Sequence, residues 1–268
     1  MGYVVYEQDA GVGVVTFTRP DAMNALCEEG VAECLRFFED LGRKLSAGGE
    51  PEVHTVILTG AGRAFIAGAD VKEMRGMDPS RASRFSEQGN RLMMDIERLP
   101  VPVIAAVNGF ALGGGLEVAL AADFLYAAAE AKLGFPEVGL GIIPGFGGMR
   151  RLSLRVGPAQ AKELIYTGRL VTGQEAFELG LANRAVPAEE LLGLARKTAE
   201  LMDKAGRRAL QAAKRHVNES ALLDAVAAAT VEAERFGSLF EGTEPREGMT
   251  ALLEKRPPSW AGNKGKDR

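Results

Sequence analysis

The chain has 268 residues, 46% hydrophobic and 25% charged, which is the balance of an ordinary globular protein and not of a disordered or collagen-like one. That length supports one large domain or two small ones around a sizeable core. A formal net charge of −4 argues against the dense basic surface of a nucleic-acid binder, and no run of about 18 apolar residues offers a membrane span.

The opening MGYVVYEQDAG carries acids where a secretory signal needs basic and then apolar residues, and Tyr6 stands where a myristoylation pattern needs Ser or Thr. YVVYE and VGVVTFT predict two strands joined by a turn at Asp9, Ala10 and Gly11. Beyond Arg19-Pro20-Asp21, the spacing of Val31, Cys34, Leu35, Phe38, Leu41 and Leu45 predicts a helix over Glu28–Lys44. On this reading Cys27 and Cys34 lie on the helix, roughly 10 Å apart along its axis and beyond disulfide reach. They are expected to be free core thiols, which fits a reducing cytoplasm.

VHTVILTG predicts a strand that contains His54, and Ser80–Leu99 predicts a second long helix. VPVIAAVNG then repeats the design of apolar strand, turn, glycine-rich segment and helix, so the class is α/β with weakly similar modules. After about residue 145 the pattern is helical, including Ala188–Lys204, Arg207–Asn218, Ala221–Phe240 and Glu247–Arg256. The change marks either a domain boundary or helices lying across a neighbouring subunit. Apolar positions such as Leu222, Leu223, Val226 and Thr230 form faces that a small sheet would not cover, so an oligomer is expected. The closing PPSWAGNKGKDR reads as a frayed tail.

Two glycine-rich segments follow strands: GAGRAFIAGAD, from Gly60, and NGFALGGG, from Asn108. Glycines at a helix start expose N–H donors, which can cradle a phosphate or the oxygen of a polarised carbonyl. Neither segment matches G-x-G-x-x-G or G-x-x-x-x-G-K-[ST], so a dinucleotide or P-loop site loses its support. Glu117, three residues after Gly114, falls on the same helical face, which brings a base toward a bound carbonyl. Glu137, after Pro136, adds a second acid in an apolar, glycine-rich loop. Two acids near one carbonyl allow one to take a proton while the other gives one. A dipole-complementing Glu and a helix-opening Pro-Glu pair are the structural alternatives.

Other residues invite blander readings. Asp123 reads as a turn or capping group, and Arg207-Arg208 and Lys214-Arg215 as a solvated helix face. His54 and His216 lie far apart without cysteines at ligand spacing, so no metal site is expected. Ser46 and Ser153 lack the G-x-S-x-G context of a serine nucleophile.

In ordered succession RPDAMNAL, AFIAGADVKEM, PVIAAVNGFALGGGLEVALAAD, GFPEVGLGIIPGFGG and EGMTALLEKR make the chain resemble the crotonase family, the enoyl-CoA hydratase and isomerase superfamily. The resemblance implies a crotonase-like spiral of repeated ββα units over residues 1–195, holding the active site, and a carboxy-terminal helical region over 196–268 used in trimerisation. It implies an oxyanion hole from the N–H groups of Ala69 and Gly114, with Glu117 activating water and Glu137 exchanging a proton with the substrate's α carbon. Asp70, Val71 and Lys72 would line the coenzyme A pocket, with Lys72 toward a phosphate, and Lys255 would reach the nucleotide end.

The reaction so implied is reversible addition of water to a trans-2-enoyl-CoA, giving a 3-hydroxyacyl-CoA. No metal or redox cofactor is expected, coenzyme A being part of the substrate. The expected assembly is a cytoplasmic homotrimer or homohexamer without nucleic-acid or membrane partners. Members that shift a double bond, hydrolyse or decarboxylate commonly lack one of the two acids, so the pair favours a hydratase over those alternatives. A non-catalytic member that binds RNA or a protein is the alternative of another class. Met149, Arg150, Phe135 and Leu252 depart from the family's commonest pattern and bear on acyl-chain preference and coenzyme A packing.

Overall fold

The computed structural model describes residues 2–47 and 53–261, which fall into two compact units divided between Arg196 and Lys197. The first unit opens with a hairpin, β1 (Val4–Asp9) and β2 (Val12–Phe17), followed by α1 (Glu28–Ser46). Next come β3 (Thr55–Gly60), β4 (Ala64–Ile66), α2 (Val71–Met74) and α3 (Pro79–Glu97). They are followed by β5 (Val103–Val107), β6 (Phe110–Leu112), α4 (Gly114–Ala121), β7 (Phe124–Ala128) and β8 (Lys132–Gly134). After a 3-10 turn at Pro136–Leu140, the unit continues with α5 (Gly148–Val156), α6 (Pro158–Thr167), β9 (Val171–Thr172), α7 (Gly173–Glu178) and β10 (Arg184–Val186).

Two sheets result, one of six strands in the order β1-β2-β3-β5-β7-β10 and one of four in the order β4-β6-β8-β9. Successive strands alternate between them. β3, β5 and β7 enter the large sheet, while β4, β6 and β8 enter the small one before the chain turns back through helix. This is the ββα spiral, and pairing within it is parallel apart from the β1–β2 hairpin and β8–β9.

The large sheet's centre explains its sequence. Val103 through Val107 are all fully buried between β3 and β7, so β5 is apolar without interruption, as a strand covered on both faces must be. Each Val or Ile there contributes about 1.5–3 kcal/mol relative to an exposed position. Asp123, just before β7, ties that strand to the start of β5: its Oδ2 accepts from Val103 N at 2.7 Å and its own N–H donates to Val103 O at 3.0 Å.

Several local details differ from the sequence reading. The hairpin turn is Ala10-Gly11 alone, both with positive φ (48° and 79°), because Asp9 still pairs with Val12. Cys27 is not on α1 but caps it, its Sγ accepting from Gly30 N at 3.4 Å and donating to the Tyr3 hydroxyl at 2.9 Å. Both cysteines are free and buried, and burial pushes the Cys34 thiol up to about 12. His54 precedes β3 instead of lying inside it, its N–H donating to Gly11 O.

Helix α8 (Ala188–Met202) runs past the division, and the second unit contains α9 (Arg207–Ser220), α10 (Ala225–Leu239) and α11 (Glu244–Leu253). Helix α10 starts four residues later than its apolar pattern implies because Asp224 caps it, accepting from Val226 N and Ala227 N at 2.9 Å. His216 Nε2 on α9 lies 3.2 Å from a carboxylate oxygen of Glu232 on α10. Val217, Leu222, Val226 and Phe236 are 65–78% exposed, an unpartnered apolar surface within this unit. Of the expected tail, Ser259–Ala261 forms a short 3-10 turn, and residues 262–268 lie outside the described residues. Among the described residues no helix is long and apolar enough to cross a membrane, and no three His, Cys, Asp or Glu side chains group as a metal site would need.

Candidate active site

Parallel strands present their carboxyl ends on one side, and ligand-binding loops gather there. In the small sheet β4, β6 and β8 end together, so the segments Ala67–Asp70, Gly113–Gly114 and Phe135–Glu137 emerge side by side. Gly113 N donates to Gly134 O at 2.9 Å, continuing the β6–β8 pairing one residue beyond the strands. A β-carbon on Gly115 would collide with Ile66 O, and one on Gly68 would stand 3.5 Å from Leu112 O. At Gly115 only glycine leaves room for the close approach, while at Gly68 the contact is an ordinary one and the positive φ of 120° is what calls for glycine.

The loop before α1 locks this corner from behind. Asn24 is 3% exposed and adopts φ 61°, a left-handed conformation that Asn tolerates. Its Nδ2 donates to Ala61 O, Ala64 O and Phe65 O, while its Oδ1 accepts from Arg19 N at 2.8 Å. Leu26 is thereby set against Ala69 in a parallel bridge: Leu26 N donates to Gly68 O and Asp70 N donates to Leu26 O. The bridge skips Ala69 N–H, which donates to no group among the described residues. Gly114 N–H, at the start of α4 after Gly113 (φ 48°, ψ −123°), likewise has no acceptor among them. Two donors at adjacent strand ends thus stand open, at the positions read from AGAD and GGG.

Glu117 lies in the first turn of α4, a helix whose eight residues are all buried, and is itself 1% exposed. Its Oε1 accepts from Phe146 N and Gly148 N, each at 2.7 Å. Burial pushes this carboxyl above its ordinary range, while the two N–H donors and the charge of Arg151 pull it down. Those donors were not evident in the sequence, where PGFGG belongs only to an apolar, glycine-rich stretch. The positive φ of Gly147 (86°) turns the chain so that residues on either side aim their N–H groups inward. Gly148 has no room for a side chain: a β-carbon would sit 2.5 Å from Glu117 Cγ and 2.7 Å from Phe135 Cζ.

Glu137 sits in the 3-10 turn that Pro136 opens. Its Oε1 stands 2.4 Å from where a β-carbon on Gly113 would be, one residue from the open N–H of Gly114. Its Oε2 is buried and has no hydrogen-bond partner among the described residues. Burial pushes the carboxyl up to about 7, its own backbone N–H opposes this, and the negative charge of Glu117 pushes the same way as burial. Gly113, whose carbonyl accepts from Glu117 N at 3.0 Å, is also the residue that Glu137 Oε1 packs against, so the two acids share one neighbourhood. One acid is held by two donors on a single oxygen and the other keeps one buried oxygen without a partner among the described residues, so the pair has the asymmetry that acid–base division of labour requires.

Asp70 caps α2, its Oδ1 accepting from Lys72 N at 3.1 Å, and pairs with Arg19 Nη1 through Oδ2 at 2.8 Å. The Arg19 contact holds the Asp70 carboxyl below its ordinary range. Asp70 is therefore engaged in structure, whereas Val71 (55% exposed) and Lys72 face solvent. Lys255 follows α11 in the second unit, exposed and with φ 54°, and Leu252 is 77% exposed. Of the other departures from the common pattern, Phe135 is buried against Glu117 and Gly148, Met149 is half-buried and Arg150 is exposed.

The chain matches the family model described as enoyl-CoA hydratase/isomerase over residues 7–263. It is 42% identical to the crotonyl-CoA hydratase of Syntrophomonas wolfei, covering 94% of this chain and 95% of that protein. It is 41% identical to the short-chain-enoyl-CoA hydratase of Clostridium acetobutylicum, with the same coverage of 94% and 95%. Among solved structures, the enoyl-CoA hydratase from Bacillus anthracis superposes with a TM-score of 0.90 at 36% identity, covering 97% of this chain and 100% of that one. With the spiral fold, the paired glutamates and these likenesses in place, the chain belongs to the enoyl-CoA hydratase/isomerase family.

Proposed function

We propose that the enoyl-CoA hydratase activity of this chain is carried out by Glu117 and Glu137 acting on a thioester whose carbonyl oxygen accepts from Ala69 N–H and Gly114 N–H. The carrying observation is the asymmetry of the two acids: Glu117 is held through Oε1 by two N–H donors, while Glu137 keeps a buried Oε2 with no partner among the described residues.

In this reaction the ionised Glu117 takes a proton from water as the water oxygen bonds to the β carbon of a trans-2-enoyl-CoA. Electron density moves onto the thioester oxygen, where two preorganised N–H groups stabilise it. Protonated Glu137 gives its proton to the α carbon, the carbonyl re-forms, and a 3-hydroxyacyl-CoA leaves. Exchange with solvent returns both acids to their starting states. Only water and protons move, so the chemistry needs no electron carrier. Val71 and Lys72, exposed beside the first donor, would contact coenzyme A, with Asp70 shaping that edge through α2. Lys255 would meet the nucleotide end.

The exposed apolar residues of α9 and α10 support a homo-oligomer, trimer or hexamer, assembled through the 197–268 unit. The free thiols fit a reducing, cytoplasmic setting. The test is loss of the conjugated double bond of crotonyl-CoA by the wild type, Glu117→Gln and Glu137→Gln. Hydration is expected to collapse in both variants. Retained hydration in Glu117→Gln would exclude the proposed base.

A further inference from the structure

Ser86 and Asn90 lie one turn apart on α3, on one face of the helix. Both reach across to the same atom. Ser86 Oγ donates to Gly145 O at 2.6 Å, and Asn90 Nδ2 donates to it at 2.8 Å, with a further bond to Ser86 O at 2.9 Å. The carbonyl of Gly145 and the N–H of Phe146 belong to one peptide unit. That unit is planar, so fixing the oxygen fixes where the N–H points. It points at Glu117 Oε1.

We propose that Ser86 and Asn90 are positioning residues for Glu117, acting through the Gly145–Phe146 peptide that they grip at its carbonyl end. The inference rests on the reading of Glu117 as the base. Two donors on the carbonyl also polarise the amide and strengthen its N–H as a donor. The neighbouring peptide is held in a parallel way: Gly147 O accepts from Arg151 N at 3.4 Å while Gly148 N–H donates to Glu117. Between the two, Phe146 O accepts from Arg151 Nη1 at 3.3 Å, and Arg151 Nη2 pairs with Glu97 at 2.9 Å. Both hydrogen bonds therefore fall on one carboxylate oxygen, which fixes the orientation of Glu117. The Phe146 side chain is buried against Phe85 and its carbonyl is held by Arg151, so Ser86 and Asn90 are what fix the remaining end of the Gly145–Phe146 peptide, and losing them lets its N–H tilt away from the base.

The test compares Ser86→Ala, Asn90→Ala and Ser86→Thr by crotonyl-CoA hydration, measuring kcat, KM and the pH profile, with thermal unfolding to confirm folding. The two Ala substitutions are then repeated in the Glu117→Gln background. Each Ala variant is expected to lose roughly tenfold in kcat with little change in KM, because misplacing a catalytic group costs rate more than binding. Fewer donors leave the Glu117 carboxylate less stabilised, so the low-pH limb of kcat is expected to move to higher pH. Glu137 and Arg151, the charged groups that face Glu117, and Glu97 behind Arg151 are unchanged in these variants.

Ser86→Thr keeps the hydroxyl and is expected to keep both rate and limb. In the Glu117→Gln background the Ala substitutions are expected to cost nothing further. Unchanged kcat in the Ala variants, an unmoved limb, or an equal loss in the Glu117→Gln background would overturn the proposal. Failure of the underlying reading has a different signature, namely full activity of Glu117→Gln alone. Should Asn90→Ala not fold, Ser86→Ala and Ser86→Thr carry the same comparison.

Discussion

Gly148 serves Glu117 twice: its N–H donates to Oε1 at 2.7 Å, and its missing side chain is what leaves the carboxylate its space. Gly148→Ala would put a methyl 2.5 Å from Glu117 Cγ and 2.7 Å from Phe135 Cζ, both on buried residues with little freedom to yield. The expected cost is about 1–3 kcal/mol of stability from overpacking, with roughly a hundredfold loss of kcat as the base is displaced. Urea unfolding and steady-state kinetics on the same preparation separate the two effects.

Removing either acid should affect turnover far more than binding. Glu117→Gln and Glu137→Gln are each expected to lower kcat by about 10²–10⁴, the usual share of a positioned acid or base, while KM moves little. A rise in KM at constant kcat would instead assign the residue to uniform binding of substrate.

Glu137 rises from about 4.5 to about 7 in the folded chain, so the acid needed for α protonation is lost as pH climbs past neutrality. Hydration kcat is expected to fall above about pH 7, and the fall should vanish from the residual rate of Glu137→Gln. Stability moves in the same sense. Between about 4.5 and 7 the native state binds more protons than the unfolded one, so this carboxyl costs stability progressively as pH rises through that window. Glu137→Gln is therefore expected to be more stable than wild type at pH 8, by on the order of 1–2 kcal/mol after allowance for partial exposure, and nearly equal to it at pH 5. Equilibrium denaturation at the two pH values checks the sign.

Asn24 ties the loop before α1 to β4 through three carbonyls. Asn24→Ala would leave the buried Ala64 and Phe65 carbonyls short of a donor and place Ala at φ 61°, at a cost of about 2–4 kcal/mol. Because the same loop sets Leu26 against Ala69, the affinity for acyl-CoA is expected to weaken as well. Thermal unfolding and a substrate-protection assay measure the two consequences.

The long periodic segments were legible because burial imposes period on sequence: α1, α3 and β5 stand where their apolar spacing puts them. Glu117 could be found from the glycines before it, since a helix start and one turn of spacing relate them locally. Its hydrogen-bond donors could not, because Phe146 and Gly148 are 29 and 31 residues further along and reach it only through the spiral. The small sheet was equally hidden. β4, β6 and β8 have three residues each, too few to show alternation, yet their shared end is what gathers Ala69, Gly114 and Glu137. The start of α10 is not legible because Leu222 and Leu223 continue the apolar pattern through residues that the Asp224 cap excludes from the helix.

Division of labour between the two glutamates can be read by deuterium exchange at the α carbon of a saturated acyl-CoA in heavy water, where no water is added and only α-proton transfer is observed. Exchange should persist in Glu117→Gln and disappear in Glu137→Gln. Exchange that survives loss of Glu137 but not loss of Glu117 would contradict the assignment.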